Sequence, residues 1–495
     1  MNLEAETKGG WRHLPLAFWL ILLTGIGLRL VAFNAYSAHH PDEAMQYLEQ
    51  AHRLVFGYGV VPWEFRYSIR SCLIPLALAG PMQIGEWLAP NTSLYLVLPR
   101  ALIAGLNFSP VIAAWYLGAR SSRRHAIVAM AVAAVWVECV LFSVQTLSES
   151  MAVACFLPAA VLLRRDAGTA RIAAAGFLLA LAGLLRFQFA PSIAVYALII
   201  AGRDMRMWKG LLIGGLPVVA GGAAIDWAMG LSPYQWIAEN YVQNIDAGRM
   251  RRIGGVAHWT YFFEMERWWG PAAPFILLTS LLAGKRYRPL LVAALVNILF
   301  HQFIGHKEWR YVWLSMQIAV VLSAIGSVNL VAMTLFGKRI RRPDGPATTV
   351  ALILLWGSIS LTLASSDAYR FHWRTNGEAS RLAAFAGRDP RVCGLAGSRH
   401  RNVELGYAFV HRPIPVHLLN TKDAPSLSQP GATMLAFNAL LVDPQVTRPP
   451  GFDNPIACEG QDTERLCLIL RKGGCTSTPE AAAIEHQAML ERADM

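Results

Sequence analysis

Apolar runs long enough to cross a bilayer recur along most of the chain, near residues 14–33, 94–118, 126–144, 151–163, 172–185, 190–202, 211–229, 271–283, 289–304, 311–335 and 347–365. A straight membrane helix needs about 20 such residues, and the pattern predicts about eleven spans, several of them short. The segments between the runs alternate in character. One set is short and basic: Arg120, Arg123 and Arg124; Arg164, Arg165 and Arg171; Arg203, Arg206 and Lys209; Lys285, Arg286 and Arg288; Lys338, Arg339, Arg341 and Arg342. The other set, 34–93, 145–150, 186–189, 230–270 and 305–310, is richer in acids, His and Trp. Because Lys and Arg collect in short cytoplasmic loops, the basic set is expected inside and the other set outside. The first run lacks a small-residue cleavage site and reads as an anchor. With an odd number of spans and the N-terminus inside, everything after Ser365 is expected outside too.

That tail is different. Residues 366–495 carry more Pro, Asp and Arg and no spanning run, so the expected division is a 1–365 membrane domain and a 366–495 soluble domain. Short apolar runs at Val392–Ala396, Pro415–Leu419, Ala439–Val442 and Leu466–Leu470, separated by turn residues, predict a small α/β or β-rich unit. Four of the seven Cys lie here, and an oxidising compartment would permit a disulfide, with Cys458–Cys467 the expected pair.

Composition sharpens this picture. Of 495 residues 55% are hydrophobic and 15% charged, whereas soluble chains carry about 25% charged residues; a soluble enzyme is excluded. The net charge of +12 does not call for a nucleic-acid partner, because sixteen of the 44 basic residues sit in the five inner loops. There is no phosphate-cradling Gly loop with Lys, no dinucleotide fingerprint and no His-Glu-x-x-His. The Cys spacing shows no zinc pattern, and no metal or cofactor is expected.

Chemistry concentrates in the outer segments. The first holds His39-His40-Pro41-Asp42-Glu43 ahead of a helical register, then Trp63-Glu64 and Arg70-Ser71. Pro and Asp before a helix also make an ordinary N-cap. The second cluster, Gly305-His306-Lys307-Glu308-Trp309-Arg310-Tyr311, puts four ionisable groups at a span end. It reads either as interfacial snorkelling with an aromatic belt or as an anion clamp of His306, Lys307 and Arg310. Arg100, inside a span, is a functional candidate by its position alone. Arg186 at an outer span end, and His258 and Trp259 in the 230–270 segment, are lesser candidates.

These residues resemble a known family. His40-Pro-Asp-Glu-Ala-Met-Gln-Tyr-Leu-Glu49, continuing through Gly57-Tyr-Gly59, Trp63-Glu64 and Arg70-Ser71, is similar to the signature of glycosyltransferase family 22, the mannosyltransferases of N-glycan precursor and GPI-anchor assembly. His306–Tyr311 resembles the family's second signature, a His-Lys-Glu-x-Arg-[Phe/Tyr] run. Gln145-Thr-Leu-Ser-Glu149 stands where eukaryotic members often have Arg-Thr-Leu-x-Asn. The Ala- and Arg-rich composition and large tail point to a bacterial member, hence a multi-pass protein of the inner membrane with its active site in the periplasm; the alternative is the ER membrane.

The resemblance implies an all-α polytopic GT-C architecture that takes a polyprenyl-phosphate sugar donor and transfers with inversion to a lipid-linked or glycan acceptor. It further implies Asp42 as general base with Glu43 beside it, and His306, Lys307 and Arg310 on the donor phosphate, helped by Arg70 and Arg100. His40, Trp63, Glu64, Arg186, His258 and Trp259 would line the sugar or acceptor. A same-architecture transferase of glucose, arabinose or a heptose, or a lipid-saccharide flippase, is the alternative reading. A flippase would place ionisable residues near the midplane of paired halves, whereas here they collect at outer span ends.

Overall fold

In the computed structural model, residues 14–246, 259–336, 345–374, 377–398, 405–419, 435–443, 450–460 and 465–477 are described. The chain divides into two compact units, one of residues 1–33, 103–234 and 244–373, the other of 34–102, 235–243 and 374–495.

The first unit is helical, and each of its apolar runs forms helix. Length does not follow the pattern in the same way. Among the described residues, four helical stretches are long and apolar enough to cross a membrane: Leu94–Ala119, Met205–Ala228, Trp309–Thr334 and Pro346–Ala364. A fifth is the pair Arg123–Val135 and Val137–Ser143, bent by 60°. Others of the about eleven expected runs form shorter apolar helices, Leu16–Ala32, Ser148–Leu162, Thr169–Leu185 and Phe187–Ala201. Ala190–Ala201, with 12 residues, and Ala273–Leu281, with 9, are shorter still, and each begins with Pro in its first turn.

The bend is chemically compensated. At Trp136 the backbone turns extended, with ψ 128°, so carbonyls of the broken helix lose their intrahelical donors. The buried guanidinium of Arg29 donates to Ala134 O at 2.7 Å, Cys139 O at 3.1 Å and Ala133 O at 3.3 Å. Close helix approach relies on small residues: a Cβ on Gly214 would lie 1.7 Å from Ala173 O, so helices Thr169–Leu185 and Met205–Ala228 pack backbone to backbone. The core between these helices is rich in Ala, with Phe18, Trp136, Phe156, Trp269 and Trp356 fully enclosed.

The second unit combines the first outer segment with the C-terminal one. A five-stranded sheet has the order β2-β1-β3-β5-β4, with β1 Leu395–Ser398, β2 Val416–Leu419, β3 Ala439–Val442, β4 Phe452–Glu459 and β5 Leu466–Arg471. β1 runs parallel to β2 and β3, while β5 is antiparallel to β3 and β4. Four strands fall on the predicted apolar runs. β4, containing Asp453, Asn454 and Pro455, was hidden by its polar residues. Cys458–Cys467 joins directly paired positions of β4 and β5, and a second disulfide, Cys393–Cys475, closes 82 residues of chain. The segment expected as a long outer loop, 34–93, contains a 16-residue helix, Leu73–Leu88.

Candidate active site

Two polar clusters form, one in each unit. The first is built on a helix that begins right after Pro41. Its first turns, Asp42–Leu48, are widened π-helix and continue as the α-helix Glu49–Phe56, which ends on Gly57 at φ +81°. A left-handed residue there is the usual place for glycine. All seven residues of Asp42–Leu48 are buried, so Asp42 is more than the surface N-cap its position allowed.

The Asp42 carboxylate accepts from Gln46 Nε2 at 2.8 Å, lies 4.0 Å from Arg70 and 3.4 Å from His40 Nδ1. The same Gln46 nitrogen donates to Glu64 Oε1 at 2.7 Å, so one amide bridges two carboxylates. Burial and the Asp42 charge push the Glu64 carboxyl up to about 7, partly opposed by Arg70. Gln46 was missed at the sequence level, although its i,i+4 spacing from Asp42 was a readable signal. Trp63 opens the short helix Trp63–Arg66 that carries Glu64.

Glu43 and Arg100 behave differently. Glu43 is fully buried; its Oε1 accepts from the backbone N–H of His39 at 2.9 Å and of His40 at 3.3 Å, and its Oε2 lies 3.3 Å from Arg100. Arg100 donates also to Ala35 O at 2.9 Å and Ser37 O at 2.6 Å. A guanidinium committed to a carboxylate and two carbonyls, 1% exposed, braces the loop that carries Asp42. Arg100, expected on the donor phosphate, is thus committed to Glu43 and two carbonyls, and Glu43, expected beside the base, is committed to Arg100 and two backbone amides. Burial and Arg100 hold His39 down at about 4, so it stays neutral.

Behind this helix, Glu49 accepts from Val60 N at 2.7 Å and Ala408 N at 2.8 Å. A Cβ at Gly59 would strike Glu49 and Arg53, which explains that glycine. His52 meets His411 at 3.1 Å, and His411 stacks on Tyr95 and reaches Glu86 at 3.3 Å. Burial holds His52 at about 3.

The second cluster lies in the first unit. Glu149, fully buried, receives Arg186 at 3.3 Å and Arg310 at 3.2 Å on Oε1 and Ser148 Oγ at 3.0 Å on Oε2. Arg310 Nε also donates to Glu308 at 2.5 Å, and the other Glu308 oxygen lies 2.8 Å from His306 Nε2 and accepts from Tyr311 OH at 3.1 Å. Both guanidinium groups lie over the Tyr311 ring, at 4.8 and 5.1 Å. Lys307 donates to Ile304 O at 2.8 Å, and burial lowers its pKa. The structure thus unites His306, Lys307 and Arg310 with Arg186, which the sequence had placed with the sugar contacts. It also adds Glu149. The two guanidinium groups are matched by the two carboxylates, and the Lys307 ammonium in the same turn adds a donor suited to an anion. Trp259 is exposed and packs near Phe262 at 5.8 Å, outside this cluster. His258 lies outside the described residues.

A sequence pattern of the Alg9-like mannosyltransferase family matches residues 18–372, a stretch that spans the Asp42 helix and the His306–Tyr311 turn. The chain belongs to the Alg9-like mannosyltransferase family. Similar relatives of this family member include GPI mannosyltransferase 3 of Trypanosoma brucei brucei, 38% identical over 76 residues, which are 15% of this chain and 14% of that one. GPI alpha-1,2-mannosyltransferase 3 of Bos taurus is 25% identical over 338 residues, covering 63% of this chain and 59% of the other. The aligned parts thus span less than two thirds of these relatives' length. Among solved structures, ArnT from Cupriavidus metallidurans bound to undecaprenyl phosphate superposes with a TM-score of 0.53 at 12% identity, over 92% of this chain and 98% of ArnT. The family member has the GT-C glycosyltransferase fold.

Proposed function

We propose that this protein is an integral membrane mannosyltransferase that moves mannose from a polyprenyl-phosphate donor to a hydroxyl of a lipid-linked or glycolipid acceptor, with inversion. The observation that carries the reading is the first cluster: a buried carboxylate, Asp42, at the start of a rigid helix, with a second carboxylate and Arg70 beside it. Family membership supports the mannosyl group, and the fold shared with ArnT, a protein solved with undecaprenyl phosphate, supports a lipid-phosphate donor. Two disulfides in the second unit support an oxidising compartment. The active face is then the periplasmic side of a bacterial inner membrane, which the composition favours, or the ER lumen in a eukaryote.

In this reading Asp42 is the general base. The acceptor oxygen attacks C1 of the sugar as its proton passes to Asp42, and the C1–O bond to phosphate breaks with its electron pair leaving on the phosphate. The transition state resembles an oxocarbenium ion, which nearby carboxylates stabilise. Lys307, Arg310, Arg186 and His306 stabilise the negative charge that grows on the departing phosphate. Phosphate is a good leaving group, so no protonating acid is needed. Glu43 and Arg100 hold the Asp42 loop; His40, Trp63 and Glu64 are the nearest groups for sugar or acceptor.

The test is transfer from polyprenyl-phosphate-mannose by purified enzyme. Asp42→Asn should lower kcat about 10²–10⁴-fold; near-wild-type transfer would remove Asp42 as base. Lys307→Ala and Arg310→Ala should raise the donor KM, and unchanged donor dependence would sink the clamp.

A further inference from the structure

We propose that Glu138 is the positioning residue of the 305–311 turn, acting through the indole of Trp309; the proposal rests on the reading of that turn as the donor-phosphate clamp. Glu138 is fully buried in the short limb of the bent helix pair. An acid in an apolar span is expensive and calls for a reason, and the reason is visible in its partners. Oε2 accepts from Trp136 Nε1 at 2.9 Å and Trp269 Nε1 at 2.7 Å, while Oε1 accepts from Trp309 Nε1 at 2.5 Å. Three indole N–H donors from three elements thus converge on one carboxylate: the helix break, the end of helix Thr260–Trp269, and the turn itself.

Indole N–H can only donate, so the site is filled by a group that accepts on both atoms, which a carboxylate does. Trp309 is further fixed by stacking on Trp268 at 5.9 Å and edge-on by Trp269 at 5.8 Å. Its neighbour in the same one-turn 3₁₀ segment, Trp309–Val312, is Arg310. A rigid indole at 309 therefore sets where the Arg310 guanidinium starts, and with it the pairing to Glu149 and Glu308. Glu138 touches no group assigned to substrate, so its action is through Trp309.

Glu138→Gln keeps the shape but exchanges one acceptor for a donor, so at least one indole N–H faces another donor. Small displacements of positioning groups have large kinetic effects. The donor KM of Glu138→Gln should rise about tenfold or more, with kcat and the acceptor KM within about threefold, and Glu138→Asp should restore part of the loss. A role confined to folding would lower the yield of active enzyme and leave the donor KM alone, which overturns the proposal. Should Glu138→Gln fail to fold, Trp309→Phe keeps an aromatic ring but removes the indole N–H and part of the packing on Trp268 and Trp269, and is expected to raise the donor KM likewise; an unchanged donor KM there overturns the link. A readout independent of transfer is the Trp309 fluorescence difference spectrum, obtained by subtracting Trp309→Phe from the parent. Glu138→Gln should shift it, and an unshifted spectrum overturns the proposal. A wild-type enzyme that uses no lipid-phosphate sugar would defeat the functional reading, and the spectrum would still decide whether Glu138 holds the turn.

Discussion

Two carboxylates sharing one amide donor is the feature at residue scale with the clearest consequence. With Glu64 pushed up to about 7 by burial and by Asp42, its carboxyl is neutral in mild acid and ionised above neutrality. The added negative charge favours the oxocarbenium-like transition state of the proposed transfer. The proposed transfer should therefore accelerate as pH rises through 7, and Glu64→Gln should flatten that inflection in a pH profile of kcat/KM while leaving the enzyme active. Stability has the opposite sign. A carboxyl whose folded pKa is raised favours the folded state below its ordinary value near 4.5 and loses that advantage as pH rises through 7. Thermal unfolding of Glu64→Gln should thus match wild type near pH 4.5 and exceed it at pH 8.

At the scale of elements, the structure answers two intramembrane charges in different ways. Arg29 replaces the helical donors lost at the 60° bend, and Arg100 braces the 35–43 loop through Glu43 and two carbonyls. Removing one partner of a buried ion pair strands the other and costs about 3–5 kcal/mol. Glu43→Gln and Arg100→Met should each lower the denaturation midpoint. The double variant should lose less than the two single losses together, because no charge is left unpaired. A purely additive result in that cycle would mean that the pair is not coupled.

For the whole molecule, the C-terminal segment belongs with the first outer segment in the second unit, held to it by Glu49 to Ala408 and by the His52–His411 contact, while two disulfides tie the C-terminal segment to itself. Closing a longer loop restricts the unfolded chain more. Opening Cys393–Cys475, which spans 82 residues, should cost about 2 kcal/mol more than opening Cys458–Cys467, which spans 9. Paired Cys→Ser variants compared by chemical denaturation check that order.

What sequence determined by itself follows from local chemistry. Apolar runs near 20 residues long pointed to helices, which satisfy their own backbone in lipid, whereas barrel strands are about half that length. Short apolar runs bounded by turn residues, such as Ala439–Val442, pointed to strands, and the Asp42 and His306–Tyr311 motifs stood out because charges are rare in this chain. Only the tertiary structure decided which charges are spent. Arg100 and Glu43 carry the same charges as Arg310 and Asp42, but they pair with each other and with backbone carbonyls and amides that no spacing reveals. Glu149, beside an apolar run, and Glu138, inside one, gain their meaning only from the fold, which brings Arg186, Arg310 and three indoles to them. A carboxylate's role depends on what surrounds it in three dimensions, and long-range contacts are what the linear pattern does not encode.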